Sequence, residues 1–103
     1  MNKRIRSLIG IARRAGKIAA GNAEVEAMLK KRKGFLLIMA EDAFSTQKKY
    51  NLWANDLKLP IMVTGTKLEL GHSIGLSPRS AVLILDQGIA KAIITSKELM
   101  LGE

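Results

Sequence analysis

The sequence has no cysteine, which excludes disulfides and thiolate metal sites and fits a reducing compartment. A single histidine, His72, rules out a His-rich metal centre. Aromatic residues make up only 4% (Phe35, Phe44, Tyr50 and Trp53), too few rings for a platform that stacks a run of single-stranded bases. No apolar run approaches the roughly 18 residues of a membrane span. The start Met1–Arg6 is basic like the leading region of a signal peptide, but Leu8–Ala12 is too short for its apolar core, and Arg13 and Arg14 interrupt it. Repeats, linkers and low-complexity segments are missing too. The expectation is one soluble, cytoplasmic, monomeric domain spanning residues 1–103, with no membrane partner, metal or other cofactor.

What is present is positive charge, unevenly spread. The net charge is +8, and residues 1–33 account for all of it: ten basic residues face only Glu24 and Glu26. From Gly34 onward seven bases meet seven acids. A concentrated positive field favours a polyanionic partner, because neutralised phosphates release condensed counterions.

Apolar periodicity orders the rest. Ile5, Leu8, Ile9 and Ala12 predict an amphipathic helix over Lys3–Ala15, closed by Gly16. A short extended segment, Lys17–Ala20, leads through Gly21 to a second helix with Asn22 as N-cap, running to about Lys31. Phe35–Ala40, Ile61–Thr64 and Ala81–Leu85 are apolar runs of strand length. Tyr50, Trp53, Ala54 and Leu57 mark a third helix, capped by Ser45 or Thr46. Lys67–Ile74 forms a fourth helix ended by Gly75, Leu76–Ser80 a loop, and Asp86–Ile94 a fifth helix before a short tail. Helices alternating with buried strands predict an α/β fold with helices on both faces of a central sheet.

Catalytic signatures are weak. Gly10–Ile18 approaches a phosphate-binding loop but is one residue too long, carries Ile where the metal-binding hydroxyl belongs, and sits in a helix. Glu41, Asp42 and Asp86 follow strands, where a metal-dependent nuclease would place acids; caps and loop anchors account for them equally. No base, nucleophile or complete ligand set accompanies them, and His72 has no partner at diagnostic spacing. The chain reads as non-enzymatic.

Four segments, "AGKIAAGNAEVEAML", "LLIMAEDA", "LPIMVTGTKLELGHSIG" and "LSPRS" before "AVLIL", stand in an order that resembles the kink-turn-binding ribosomal proteins, notably their small bacterial YlxQ-like branch. The resemblance covers about Ile5 to Ile94. It implies a three-layer α/β/α sandwich with a mixed sheet of about four strands and no catalytic activity. The implied partner is structured RNA, of the ribosome or another ribonucleoprotein. In that family the start of the second helix meets sheared G·A pairs, and the loop before the last strand packs on the flanking region. By position, Gly21 matches the glycine opening the helix and Glu24 the acid that accepts hydrogen bonds from guanine. Lys67 matches a backbone-contacting lysine, and Leu76, Ser77 and Arg79 fall in the RNA-facing loop. Gly71 and Gly75 match glycines that pack and cap.

The strongest binders carry Asn, Glu and a later Lys where this chain has Ala23, Glu24 and Ala27. Loss of that amide removes base-edge hydrogen bonds worth about 1–3 kcal/mol. Asn22 stands one residue early. Charge assigns attraction to Lys17, Lys30, Lys31, Arg32 and the basic first helix, and the resemblance implies readout by Asn22, Glu24 and the Leu76–Arg79 loop. The runner-up is a protein–protein adaptor on the same fold, for which an exposed apolar patch would speak.

Overall fold

The computed structural model describes the backbone through Leu101 and the side chains through Lys97. It contains α1 (Lys3–Arg14), β1 (Ile18–Ala20), α2 (Asn22–Lys30), β2 (Leu36–Met39), α3 (Phe44–Asp56), β3 (Ile61–Val63), α4 (Lys67–Ser73), β4 (Ala81–Ile84) and α5 (Gln87–Leu101). The sheet runs β1-β4-β2-β3, with β4 antiparallel to both neighbours and β2 parallel to β3.

Side-chain alternation along the strands divides the core in two. Ile18, Ala20, Leu36, Ile38, Val82 and Ile84 face α1, α4 and α5, where Ile5, Ile9, Leu70 and Ile93 are buried. The intervening residues Ala19, Leu37, Met39, Ala81 and Leu83 face α2 and α3, meeting Val25, Leu29, Tyr50 and Ala54. Both faces are therefore covered, and the architecture is the expected three-layer sandwich. Uninterrupted apolar strands follow from this double burial. Truncating a fully buried residue such as Ile9 or Leu37 to Ala would cost about 2–5 kcal/mol.

Several boundaries differ from the sequence reading. The N-cap of α2 is Gly21, and Asn22 is the first helical residue. The chain enters α2 from β1 with Gly21 at φ +91°, a turn that Asn does not make without strain. Neither Ser45 nor Thr46 caps α3: the helix begins two to three residues earlier, after Ala43, and Thr46 is buried. There the Gln47 amide donates to the Ala40 carbonyl at 2.7 Å. Helix α5 does not stop at Ile94. Ser96 holds the extension, donating to the Ala92 carbonyl and accepting from Arg4 Nε, both at 2.8 Å. The remainder of the expected tail, residues 102–103, lies outside the described residues. No described helix is long and apolar enough to cross a membrane.

Candidate nucleic-acid interface

β1 delivers the chain to Gly21, whose N–H donates to the Ala81 carbonyl at 3.3 Å, so the α2 start is fixed to the first residue of β4. The glycine cap has no side chain to satisfy the helix N–H groups. Glu24 does not fill that role: its Oε2 accepts from the backbone N–H of Ala20, the last residue of β1, at 3.0 Å and so ties α2 to the strand. That contact holds the carboxylate beside the helix start and leaves its other oxygen unused by the protein contacts described. Asn22 leans the other way, its Oδ1 3.5 Å from the Tyr50 hydroxyl, at the outer limit for a hydrogen bond.

The opposing wall is the loop between α4 and β4. Gly71 makes its position possible, because a Cβ there would stand 2.1 Å from the Ser77 carbonyl oxygen. The Arg79 N–H donates to the Lys67 carbonyl at 3.0 Å, tying the loop to the start of α4. The Arg79 guanidinium folds back on its own loop, donating to the Ser77 hydroxyl at 2.7 Å and the Ser77 carbonyl at 3.0 Å. Its stem lies 3.7 Å from where a Cβ on Gly21 would be. Between the walls is a cleft of about 390 Å³ lined by Gly21, Asn22, Ala23, Glu24, Pro78 and Arg79, among others.

The α4 start is built to hold its place. Thr66 and Glu69 form a reciprocal capping box, the hydroxyl accepting from Glu69 N at 3.1 Å and the carboxylate from Thr66 N at 3.0 Å. These contacts, first the Thr66 N–H and then the N-terminal ammonium, hold the Glu69 carboxyl below its ordinary value. Asp42 accepts from Lys67 N at 2.9 Å, leaving the Lys67 ammonium exposed at the same end of the sheet. Asp86 accepts from Ile89 N at 2.8 Å and caps α5. The two aspartates thus serve as a loop anchor and a cap, and no group of three potential metal ligands occurs among the described residues.

The structure brings Gly21, Asn22, Glu24, Lys67, Ser77 and Arg79 to one end of the sheet. Leu76 is in the same loop but turns half-buried toward the core. Lys17, Lys30, Lys31 and Arg32 are elsewhere. Lys17 precedes β1, its carbonyl accepting from Leu85 N at 2.8 Å beyond the far end of β4. Lys30–Arg32 lie at the C-terminal end of the nine-residue α2, about 13 Å along its axis from Gly21. Sequence proximity to Gly21 suggested one surface; a strand and a helix carry these cations to the opposite end. The first helix is partly committed to packing: Arg4 bonds Ser96, and Arg6 bonds His72 Nδ1. Sequence reasoning offered Asp42 as a cap or loop anchor but not its partner Lys67, since no local signal links residues 25 positions apart.

An α/β/α sandwich with a glycine-opened helix facing a rigid loop is the class that these elements define. Residues 3–94 match the ribosomal protein L7Ae/L30e/S12e/Gadd45 family, and the chain belongs to it. It is 35% identical over 89 residues to the RNA-binding protein YlxQ of Bacillus subtilis, covering 85% of this chain and 89% of that protein. It is 30% identical over 97 residues to the large ribosomal subunit protein eL8 of Thermoplasma volcanium, covering 88% and 80% respectively. A solved protein of unknown function from Bacillus halodurans superimposes with a TM-score of 0.85 at 26% identity, over 91% of this chain and 96% of that one.

Proposed function

We propose that this chain is a non-enzymatic, monomeric, cytoplasmic RNA-binding protein acting on structured, kink-turn-like RNA of the ribosome or another ribonucleoprotein. The observation that carries this reading is the cleft between the α2 start and the Ser77–Arg79 loop, with the Glu24 carboxylate anchored at its edge. A carboxylate with a spare acceptor oxygen suits the N–H edge of a guanine, and helix N–H groups suit phosphate. Asn22, Lys67, Leu76, Ser77 and Arg79 complete this reading surface. Lys17, Lys30, Lys31 and Arg32 supply long-range attraction from the other end of the molecule. Family membership and the names of the relatives support the same reading.

The test compares wild type with Glu24→Ala on a kink-turn stem and on a regular duplex of equal length. The variant should lose at least tenfold on the kink-turn and less than threefold on the duplex. Equal losses would remove Glu24 from the reading surface.

A further inference from the structure

Helices α1 to α4 all end in the same way. The residue after the C-cap donates to the second-last turn carbonyl, and the following N–H reaches one residue further back, as in Lys33 N to Met28 O and Leu59 N to Ala54 O at 3.0 and 2.9 Å. The motif needs a left-handed residue after the cap. Gly16 and Gly75 provide it at φ +68° and +71°; Arg32 and Lys58 provide it at +56° and +55°. Glycine does this freely, whereas a side chain there is strained. Arg32 and Lys58 are the only non-glycine residues with positive φ among the described residues, and both are cations.

The two helix ends also adjoin in space. Arg32, Lys33, Gly34, Leu57 and Leu59 line one depression. It shares Gly34 with two larger clefts that have Phe35 in common. One, of about 420 Å³, carries Lys17, Arg32 and Lys33; the other, of about 640 Å³, carries Lys58 and Lys91. No acidic side chain lines any of the three. Phe35 stands where they join, its N–H fixed on the Ile84 carbonyl at 2.9 Å and its side chain exposed, at 42% relative accessibility for the residue. Gly34 keeps this junction against the sheet, since a Cβ there would lie 2.6 Å from Leu83 Cδ1.

We infer that this end of the molecule is a second RNA-contacting surface that takes an unpaired segment. One base lies against Phe35, and the flanking phosphates meet Lys17, Arg32 and Lys33 on one side and Lys58 on the other. Cations on both sides of a single exposed ring match a chain of alternating phosphates and flat bases, and one ring holds one base. An acidic peptide satisfies the cations and leaves the ring without a stacking partner. Both cations stand in strained left-handed backbone that glycine would relieve, and strain of this kind clusters at ligand sites. The inference rests on the proposed RNA-binding function and extends it to a surface remote from Glu24.

The test uses fluorescence anisotropy with a ten-nucleotide uridine oligomer and, separately, a kink-turn stem without unpaired ends. The double variant Arg32→Gly/Lys58→Gly should melt at a higher temperature than wild type yet bind the oligomer about tenfold or more weakly. Because the variant is stabilised, that loss is not unfolding. Phe35→Ala should weaken oligomer binding by about fivefold or more while keeping stem affinity within threefold. Unchanged oligomer affinity in both overturns the inference. Absent stem binding with Phe35-dependent oligomer binding sinks the α2 reading and leaves this surface standing. Competition by a glutamate decapeptide as effective as unlabelled oligomer, with no effect of Phe35→Ala, makes the partner an acidic peptide and overturns the inference.

Discussion

The Glu24 carboxylate bonds the backbone N–H of Ala20, four residues back, at 3.0 Å. One side chain thereby performs two tasks: it ties the start of α2 to the end of β1 and holds an acceptor at the cleft. The tasks separate by substitution. Gln keeps a carbonyl oxygen for Ala20 but turns an NH2 group toward the donors of a guanine. Glu24→Gln should therefore unfold within about 0.5 kcal/mol of wild type, whereas Glu24→Ala loses the hydrogen bond, worth about 1 kcal/mol. Both should lose kink-turn affinity by tenfold or more. Urea denaturation and anisotropy on the same preparations check the pair; retained affinity in the Gln variant would show that Glu24 only ties α2 to β1.

Gly71 makes a sharper structural prediction. Its added Cβ would collide with main-chain atoms of Ser77 and Pro78, which have no flexible side-chain end to swing aside. Overpacking of this kind costs about 1–3 kcal/mol, and for a domain of this size each kcal/mol lowers Tm by about 4–8 °C. Gly71→Ala should melt lower and bind RNA less well, because the Arg79 loop must withdraw. Calorimetry that finds no change in Tm would refute the close approach.

Much of the fold was legible because burial on both faces leaves a plain mark. Leu36–Met39 and Ala81–Ile84 are apolar without interruption, and the helix stripes at Ile5, Ile9, Tyr50 and Ala54 point inward as their spacing predicts. The elements that escaped depend on distant partners. Thr95 and Ser96 look like a helix end until Ser96 meets Arg4 across the α1–α5 contact. The α3 start is set by Gln47 reaching the Ala40 and Glu41 carbonyls, not by a capping hydroxyl. For the site, the residues resolve into two groups only in three dimensions. Lys17 is four positions from Gly21 in sequence, but an extended strand carries each residue about 3.3 Å onward. The left-handed backbone at Arg32 and Lys58 leaves no trace in composition, although a helix end with no glycine after it is a signal that could have been followed.

Acid stability should depend on Glu69. Its carboxyl is held below 4.5 mainly by the Thr66 N–H, with help from the N-terminal ammonium of Met1 at 3.9 Å. A depressed folded value means that the unfolded chain takes up the proton first. The contribution is therefore present above about pH 4.5 and fades as the pH falls through the folded value. Glu69→Gln can still close the capping box, since Gln serves at that position, but it does not titrate. Stability measured from pH 6 to 3 should fall less steeply in the variant than in wild type; parallel curves would count against the assignment.

The alkaline limb belongs to Tyr50. Burial, reinforced by the nearby Glu26 carboxylate, pushes its hydroxyl from 10.0 up to about 12. A raised folded value reverses the sign: the unfolded chain loses the proton first as pH rises. Stability from this group is intact below pH 10 and declines between 10 and 12. Tyr50→Phe should lower the plateau slightly, through loss of the hydroxyl contacts, and flatten that decline. Every other titratable group is common to both proteins, so the difference between the two curves isolates Tyr50.

Salt dependence tests how the two ends share the binding. The cations tied to the loop facing the α2 start are Lys67, whose N–H is held by Asp42, and Arg79, whose N–H is held by the Lys67 carbonyl. Arg79 is occupied with its own loop, so Lys67 is the freer phosphate contact. Each phosphate neutralised contributes about −0.9 to the slope of log K against log salt on B-form DNA, which serves as the guide for a duplex stem, and about −0.7 on single strands. A kink-turn stem should therefore bind with a shallow slope of about −2, and Lys67→Ala should reduce it by about one. Adding an unpaired extension long enough to cross the molecule should steepen the slope, as Lys17, Arg32, Lys33 and Lys58 find phosphates. Lys67→Ala should leave that added increment intact, while Arg32→Gly/Lys58→Gly should remove much of it. Titrations from 50 to 300 mM KCl on both RNAs resolve these terms. If the extension adds nothing to the slope, the basic end attracts RNA only from a distance and does not touch it.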